Sequence, residues 1–479
     1  MTHALPPYPA YKESGIEWLG QIPSHWEVHS FRQIARATKG SQPQRLYLAH
    51  EAPAQAKPYL TMEYLRAPQG NPKFYCVPSN GDVVANAGDI LLLWDGANAG
   101  EFLVAKEGVV SSTAALLHLA HHNTRYIYFA LKQCEPLLRA FSTGMGIPHV
   151  DGRTLRQMPI PLPPLDEQAA IVRVLDFVDR RMRRYARAQQ QTIRLLTEYK
   201  QALIHHAVTG KVNVCTGAPY PTYRDTGIEW LGQIPSHWEV RRIGSLARIL
   251  NGATPPTSIQ EFWDGEIVWI TPEDIGKLHG RYIDDSSRRI TQEGYRACGT
   301  QLAPPGSIAL STRAPIGHLG ILRVAACVNQ GCRLIVPDTA VVSEFLYYYL
   351  VATRAHLESL GQGSTFTELS RTSLKSFSVP LPPLAEQGAI VEYLDAQTAR
   401  IDAAIAAIRR TVALLGEYRE RLVADVVTGK VDVRAVAAGL PEADDAADAG
   451  EADTLLEPFA PDDAPTLEEA LQDATDGHE

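Results

Sequence analysis
Two stretches of this chain, 219 residues apart, carry nearly the same text, and few architectures accommodate such a repeat. Residues 161–214 run from PLPPLDEQAAIVRVLDF to VTGKVNV and residues 380–433 from PLPPLAEQGAIVEYLDA to VTGKVDV; without a gap, 26 of the 54 positions are identical. The chain is therefore two copies of one unit. Prolines 161, 163 and 164 hold the backbone extended, and the break-free run from Asp166 to Val208 predicts one long helix closing near Thr209 and Gly210. At about 1.5 Å per residue such a rod is roughly 64 Å long. Positions Ile171, Leu175, Val178, Met182, Tyr185, Gln189, Thr192, Leu196, Tyr199 and Leu203 step alternately by four and three, which is a heptad seam. The second copy repeats the phase with Ile390, Leu394, Gln397, Ile401, Ala404, Ile408, Thr411, Leu415, Tyr418 and Leu422. Each stripe has to be buried, and the natural partner of one rod is the other.

A second repeat precedes each rod. Residues 11–28, YKESGIEWLGQIPSHWEV, return at 223–240 as YRDTGIEWLGQIPSHWEV with 15 of 18 positions identical, so the order is signature, variable region, rod, twice over. Trp18, Trp26, Trp230 and Trp238 read best as core or docking residues. The variable regions are mixed α and β. In the first, Asp89–Trp94 and 108–119 read as strands and loops and Tyr126–Phe141 as a helix; in the second, Glu266–Ile270 and Ile308–Ser311 read as strands and Glu344–Leu360 as a helix. Faint echoes link them: GDILLLWDGANAG (88–100) stands where PGSIALSTRAPIGHLG (305–320) stands in the other half, and GMG (144–146) where GQG (361–363) does.

Composition sets the outer limits. A chain of 479 residues that is 45% hydrophobic supports two or more cored domains. No apolar run approaches the roughly 18 residues of a membrane span and the N-terminal text lacks a basic-then-apolar leader, so the expectation is a cytoplasmic protein with no membrane role. The six cysteines include no C-x-x-C and match no zinc spacing, which predicts reduced, structural thiols. The net charge of −9 is uneven: Arg434 to Glu479 holds 14 acidic residues and one basic, leaving 44 Lys and Arg against 40 Asp and Glu before it, a net of +4. The tail reads as acidic and disordered, with one short helix at Thr466–Gln472, on a mildly basic body.

A duplication that keeps its connectors while its globules diverge implies a shared job for the connectors and separate recognition by each globule. Two like units pairing through one stripe are expected to be isologous, with antiparallel rods about a pseudo-twofold axis. Because the first rod flows directly into the second signature, the second rod should end near the first signature, making the chain nearly circular.

In these features the chain resembles the DNA specificity subunits of type I restriction-modification systems. The resemblance covers residues 11–433 and rests on GIEWLGQIPSHWEV occurring twice, on PLPPLDEQ and PLPPLAEQ opening the rods, on VTGKV closing both, and on NGATPPTSIQEFWDGEIVWITPEDI at 251–275. It implies an α+β protein: target recognition domains at 8–160 and 219–379, conserved helical spacers at 161–214 and 380–433, and a tail from 434 to 479. It further implies a non-catalytic partner of double-stranded DNA, of two modification subunits that carry S-adenosylmethionine, and of restriction (translocase-nuclease) subunits. Two antiparallel helices would act as a ruler between two half-sites.

The chemistry in the residues agrees. There is no N-P-P-Y-like tetrapeptide, no G-x-G-x-x-G opening a helix and no phosphate loop. Glu273-Asp274 with Lys277 reads as a helix start. His205-His206 has Ala424-Asp425 as its repeat, so no duplicated metal site exists, and no cofactor is expected on this chain. Reading DNA requires polar and basic groups on loops or helices. The candidates are Lys39, Gln42, Arg45, Asn98, Arg153 and Arg156 in the first globule, and Thr254, Arg313, Asn329, Gln330 and Gln362 in the second, with Arg288 and Arg289 on phosphates. The helix-pairing candidates are Ile171, Leu175, Val178, Met182, Leu196, Tyr199 and Leu203 against Ile390, Leu394, Ile401, Ile408, Leu415, Tyr418 and Leu422. The competing reading is a coiled-coil scaffold or adaptor with two globules that bind no nucleic acid. Salt separates the two, since DNA binding should weaken with a slope near −0.9 per neutralised phosphate.

Overall fold
The computed structural model describes residues 5–67, 70–141, 148–278, 280–313, 315–361 and 368–441. Two long helices, Leu165–Val208 and Leu384–Val427, each of 44 residues, dominate it. The start of the first helix (Ile171, Val174, Leu175) shares a core with the end of the second (Val423, Val426, Val427). The end of the first (Ile204, Ala207, Val208) shares another with the start of the second (Ile390, Leu394). The helices are therefore antiparallel. Two compact units result, one of residues 1–191 with 408–479 and one of residues 192–407, so neither spacer forms a body of its own.

The buried stripe differs from the heptad seam. One line of positions stays buried or half-buried along the whole helix, at 171, 175, 179, 182, 186, 189, 193, 197, 200, 204 and 208 in the first and 219 residues on in the second, with further such positions beside it. Three turns take eleven residues, as Ile171, Met182, Ile193 and Ile204 show, and again Ile390, Ile401, Val412 and Val423. A helix near 3.6 residues per turn drifts off a strict 3.5-residue seam. The drift leaves the predicted pairing residues Tyr199 and Tyr418 outside, 57% and 56% exposed, along with Tyr185. Ile171, Leu175, Ile390, Leu394 and Ile401 are buried, and Val178, Met182, Leu196, Leu203, Ile408, Leu415 and Leu422 are half-buried. Polar contacts lie along and beside the new stripe. In the first unit Asp179, 3% exposed, is bonded by Arg183 at 3.0 Å and by Arg419. In the second, Lys200 bonds Asp402 at 2.7 Å.

Each globule is built on a central sheet of the same order. In the first unit it runs Phe102–Val104, Ile90–Leu93, Ala114–Leu119, Ala35–Lys39, all antiparallel. In the second, Leu319–Leu322, Ile308–Ser311, Cys332–Pro337 and Ala247–Asn251 repeat it, with Tyr282–Ile283 added in parallel beside Leu319–Leu322. Outer sheets differ: five strands including Lys57–Leu60 and Gly108–Val110 in the first unit, three around Trp263–Ile270 in the second. A helix caps each central sheet, Thr124–Ala140 in one unit and Ser343–Ala352 with Arg354–Ser359 in the other. The expected single helix 344–360 is thus two, broken at Thr353, whose hydroxyl donates to the Tyr349 carbonyl at 2.8 Å. The capping box of Thr271 and Asp274 opens the short helix Pro272–Gly276, as the reading of Glu273-Asp274 anticipated.

The signatures are the joints. Strand Glu27–Ser30 pairs with Pro159–Leu162, and Glu239–Arg242 with Ser378–Leu381, so each signature is sewn to the strand that leads into its helix. Trp26 and Trp238 are fully buried. Gly429, ending the second helix, lies against Pro23 and Trp26 of the first signature, while Gly210 lies against Pro235 and Trp238 of the second. The second helix does end at the first signature. The chain continues in order past it: Arg434–Gly439 is helical with Ala437 buried, so residues 434–441 belong to the first unit and not to a disordered tail. Apolar contacts of Val433 and Ala437, invisible to a charge count, fix them there. Among the described residues no helix is long and apolar enough to cross a membrane. Cys134, Cys327 and Cys332 are buried free thiols, their pKa values pushed up to about 12 by desolvation.

Gly210 and Gly429 adopt φ +71° and +75°, and a Cβ on either would lie 2.3 Å from the Cδ of Pro235 or Pro23. Gly429→Ala is expected to destabilise the chain by about 2 kcal/mol or more, from left-handed strain plus overlap. Gly388, inside the second helix with nothing within 4 Å of where a methyl would stand, is the contrast: Gly388→Ala should stabilise by about 0.5–1 kcal/mol. Urea unfolding of both variants checks the pair.

Candidate nucleic-acid interface
In the second unit the loop 251–256 leaves the edge strand Ala247–Asn251 and crosses the turn 329–331. The crossing is tight: a Cβ on Gly252 would lie 1.9 Å from the Asn329 carbonyl oxygen, so only glycine fits. The Ala253 amide donates to the Val328 carbonyl at 3.0 Å, and the Thr254 hydroxyl donates to Gln330. Asn329 accepts the Gly331 amide at 2.9 Å, which shapes the turn. Arg333 extends the chain of contacts, donating to the Gln330 carbonyl and, at 3.2 Å, to Glu368; Glu368 also accepts from Arg313 Nε at 3.1 Å. On the loop's other side the indoles of Trp269 and Trp263 donate to the carbonyls of Ala253 and Pro256, and the Arg288 guanidinium lies 3.6 Å over the Trp263 ring.

Five of the predicted residues, Thr254, Arg288, Arg313, Asn329 and Gln330, are thus brought together through one connected set of contacts. Arg289 is held at 2.8 Å by Asp285, whose carboxyl it keeps below the usual range. Gln362 lies outside the described residues. Gln330, Arg288 and Arg313 are exposed and carry the donors and acceptors that base edges and phosphates require.

The first unit has the same backbone with different side chains. Gly40 makes the crossing, with a Cβ position 2.2 Å from the Val110 carbonyl oxygen. The Trp94 amide donates to the Thr113 carbonyl at 2.8 Å, and in the second unit the Thr312 amide donates to the Gly331 carbonyl at 2.8 Å. One residue on, Asp95 bridges to His149 where Arg313 bridges to Glu368. The charges are inverted: Asp95 accepts from Lys39 and from His149, both at 2.5 Å. Burial raises the Asp95 pKa, but the Lys39 and His149 hydrogen bonds outweigh it and hold the carboxyl below its ordinary value. Gln42 and Arg45 are exposed on the loop, with Arg45 4.8 Å over the Tyr47 ring. Arg153 and Arg156 are exposed on the short helix Gly152–Gln157, capped by Asp151 two residues after His149. Asn98 is half-buried in the turn after Asp95, where its carbonyl accepts the Glu101 amide.

Arg333, Glu368, Asp95, His149 and the two tryptophans were not singled out from sequence. The echo between 88–100 and 305–320 carried the signal, since it aligns Asp95 with Arg313 once Trp94 is set against Thr312. Among the described residues no group of three metal-ligating side chains exists.

The model of the type I restriction modification DNA specificity domain matches this chain twice, at residues 23–193 and 235–409. The chain belongs to that family. The MjaVIII specificity subunit of Methanocaldococcus jannaschii is 27% identical to it over 438 residues, 88% of this chain and 97% of the relative. The MjaIX specificity subunit of the same organism is 40% identical over 167 residues, which span only 34% of this chain and 38% of that protein. Among solved structures, a chain from a study of complex assembly and conformational transition in the type I R-M system has a TM-score of 0.65 at 20% identity, covering 86% of this chain and 99% of that one. The HsdS subunit of Thermoanaerobacter tengcongensis has a TM-score of 0.50 at 20% identity, covering 86% and 98%. The two matched domains of this specificity protein each contain one of the two glycine crossings.

Gly252→Ala has to displace the loop that carries Thr254. It is expected to weaken sequence-specific DNA binding by roughly ten- to a hundredfold, the worth of about one or two base contacts. Titrations of the assembled complex against target and scrambled duplexes measure it, and the scrambled duplex should bind as before.

Proposed function
We propose that this chain is the sequence-reading, non-catalytic subunit of a type I restriction-modification complex in the cytoplasm. Each crossing-loop surface reads one half of a split double-stranded DNA target. Two modification subunits, which supply S-adenosylmethionine, dock on the repeated signatures and helix ends, and restriction subunits join for cleavage. The observation that carries this reading is one backbone platform present twice with unlike side chains, Asp95 with Lys39 in one and Arg313 with Glu368 in the other. A device that reads two different half-sequences needs that combination of constant backbone and variable edge.

Mapping N6-methyladenine in a host with and without the gene tests the proposal, because loss of a specificity subunit removes a bipartite methylation motif. Thr254→Val with Gln330→Ala is expected to relax one half of the motif and leave the other unchanged, whereas Lys39→Ala with Gln42→Ala relaxes the opposite half. Each lost base contact should cost about 1–3 kcal/mol at its position. If both double variants change the same half, the assignment of one half-site per unit is wrong. The helices are expected to set the gap between halves: a seven-residue insertion in both adds about 10 Å, or roughly 3 bp, to the unread spacer. A methylome with both half-sequences intact and the spacer unchanged would refute that role.

A further inference from the structure
The duplication allows the two units to be compared at the joint between signature and helix, and there they differ. In the first unit Glu167 is a buried hub: the Tyr8 hydroxyl donates to it at 2.5 Å, His25 meets it at 2.8 Å and the Trp26 indole donates at 3.1 Å. The chain's own residues 433–441 cover this hub. Arg434 lies 5.2 Å over the Tyr8 ring, Ala437 is 4% exposed, and Arg173 donates to the Leu440 and Pro441 carbonyls at 2.6 and 3.2 Å.

In the second unit the hub residues recur as Tyr220, His237, Trp238 and Glu386, with Tyr220 and His237 bonded to Glu386 and ring spacings within 0.2 Å of the first set. Among the described residues no counterpart of residues 434–441 lies over them, although Tyr220 and Trp238 are themselves 6% and 1% exposed. A groove opens instead, lined by Cys215, Tyr220, His237, Glu386 and Ala389, with Cys215 at the place of Arg434. Glu386 is 19% exposed where Glu167 is 3%. The Trp238 indole N–H, on a residue 1% exposed, has no partner. Glu392 stands exposed at the place of Arg173, so the groove is flanked by acid where its counterpart is flanked by base.

We propose that this groove of the second unit is a docking site for a short segment of a partner protein that carries an Arg or Lys followed, one helical turn on, by a small apolar residue. Residues 433–441 are the template for that occupant. The cation takes the position over Tyr220 that Arg434 takes over Tyr8, the small side chain seats against Ala389, and Glu386 and Glu392 supply the complementary charge. The segment comes from another protein, because in this chain the matching segment is already seated in the first unit by direct continuation of the second long helix. The inference does not depend on which DNA is read.

The probe is a fluorescein-labelled peptide of residues 431–441, VDVRAVAAGLP, titrated into the full chain and followed by anisotropy. Saturable binding of one peptide per chain is expected. A peptide with Glu in place of Arg434 should bind about tenfold weaker or less, the scale of one charge-assisted contact. Ala389→Trp in the chain, which fills the groove, should abolish binding. Glu392→Arg, an exposed change that leaves the core intact, should weaken it by a similar factor while circular dichroism stays unchanged. No binding by the wild-type chain, or equal binding by the wild-type, A389W and E392R chains, overturns the proposal. So does a concentration-dependent dimer that disappears when residues 434–441 are removed, since the occupant would then be a second copy.

Discussion
The dipeptides Glu167-Gln168 and Glu386-Gln387, in the first turn of each long helix, tie the signature, the strand before the helix and the sheet-capping helix of each unit together. The glutamates gather the signature aromatics, and their burial pushes the Tyr8 and Tyr220 phenols up, through desolvation first and the adjoining carboxylates second, so both remain donors. The glutamines reach in other directions. Gln168 donates to the Pro163 carbonyl at 2.9 Å and accepts the Asn123 amide at 3.1 Å, fixing the strand before the helix and the start of the sheet-capping helix. Gln387 does the same with Pro382 at 2.9 Å and Val342 at 2.8 Å. A buried carboxylate stripped of these donors would lose charge-assisted bonds that its desolvation requires. Its position at a helix N-terminus adds favourable dipole interaction. Three elements are therefore oriented by two adjacent side chains.

That constraint accounts for where the two copies stay alike. PLPPL, EQ, the signature tryptophan and VTGKV all touch the same joint, and each is buried or bonded there. VTGKV is kept because its glycine must take a left-handed φ while Pro23 or Pro235 presses on the site a Cβ would occupy. The helix middles, by contrast, need only a stripe of suitable size and polarity. Gln189 can stand opposite Ile408 in the repeat, and Lys200 opposite Arg419, because half-buried stripe positions accept long side chains whose polar ends reach water.

The duplication, the antiparallel helices and the return of the chain to its first signature were legible from text alone, since repetition reports on topology directly. The stripe was legible in part, for Leu196, Leu203, Leu415 and Leu422 are half-buried where the heptad puts them and the tyrosines are not. Heptad counting from Ile171 and Ile390 accumulates an error of about 20° per repeat on a helix of 3.6 residues per turn, enough to put Tyr199 and Tyr418 on the wrong face. The DNA-facing candidates of the second unit were half legible. Thr254, Asn329, Gln330 and Arg313 sit beside Gly and Pro, the marks of a loop, whereas Arg333 lies inside the strand Cys332–Pro337 and reads as a β residue. Its role comes from Glu368, 35 residues away in sequence, and no local pattern announces a partner at that separation.

The globules diverge in sequence without diverging in their central sheet because the two kinds of residue carry different energetic costs. Strand positions such as Leu91, Leu92, Ala309 and Leu310 are fully buried, and changing them opens cavities or forces overpacking worth several kcal/mol. Gly40 and Gly252 are held by a steric argument of equal force. Exposed side chains around the crossing, such as Gln330 and Arg313, are a different case, since substitutions at exposed positions usually move stability by less than about 0.5 kcal/mol. Replacing Asp95–His149 by Arg313–Glu368 keeps a hydrogen-bonded side-chain pair across the same bridge, so the backbone has no reason to move. The exposed edge can then change while folding does not, because the crossing glycine and the buried sheet hold it in place.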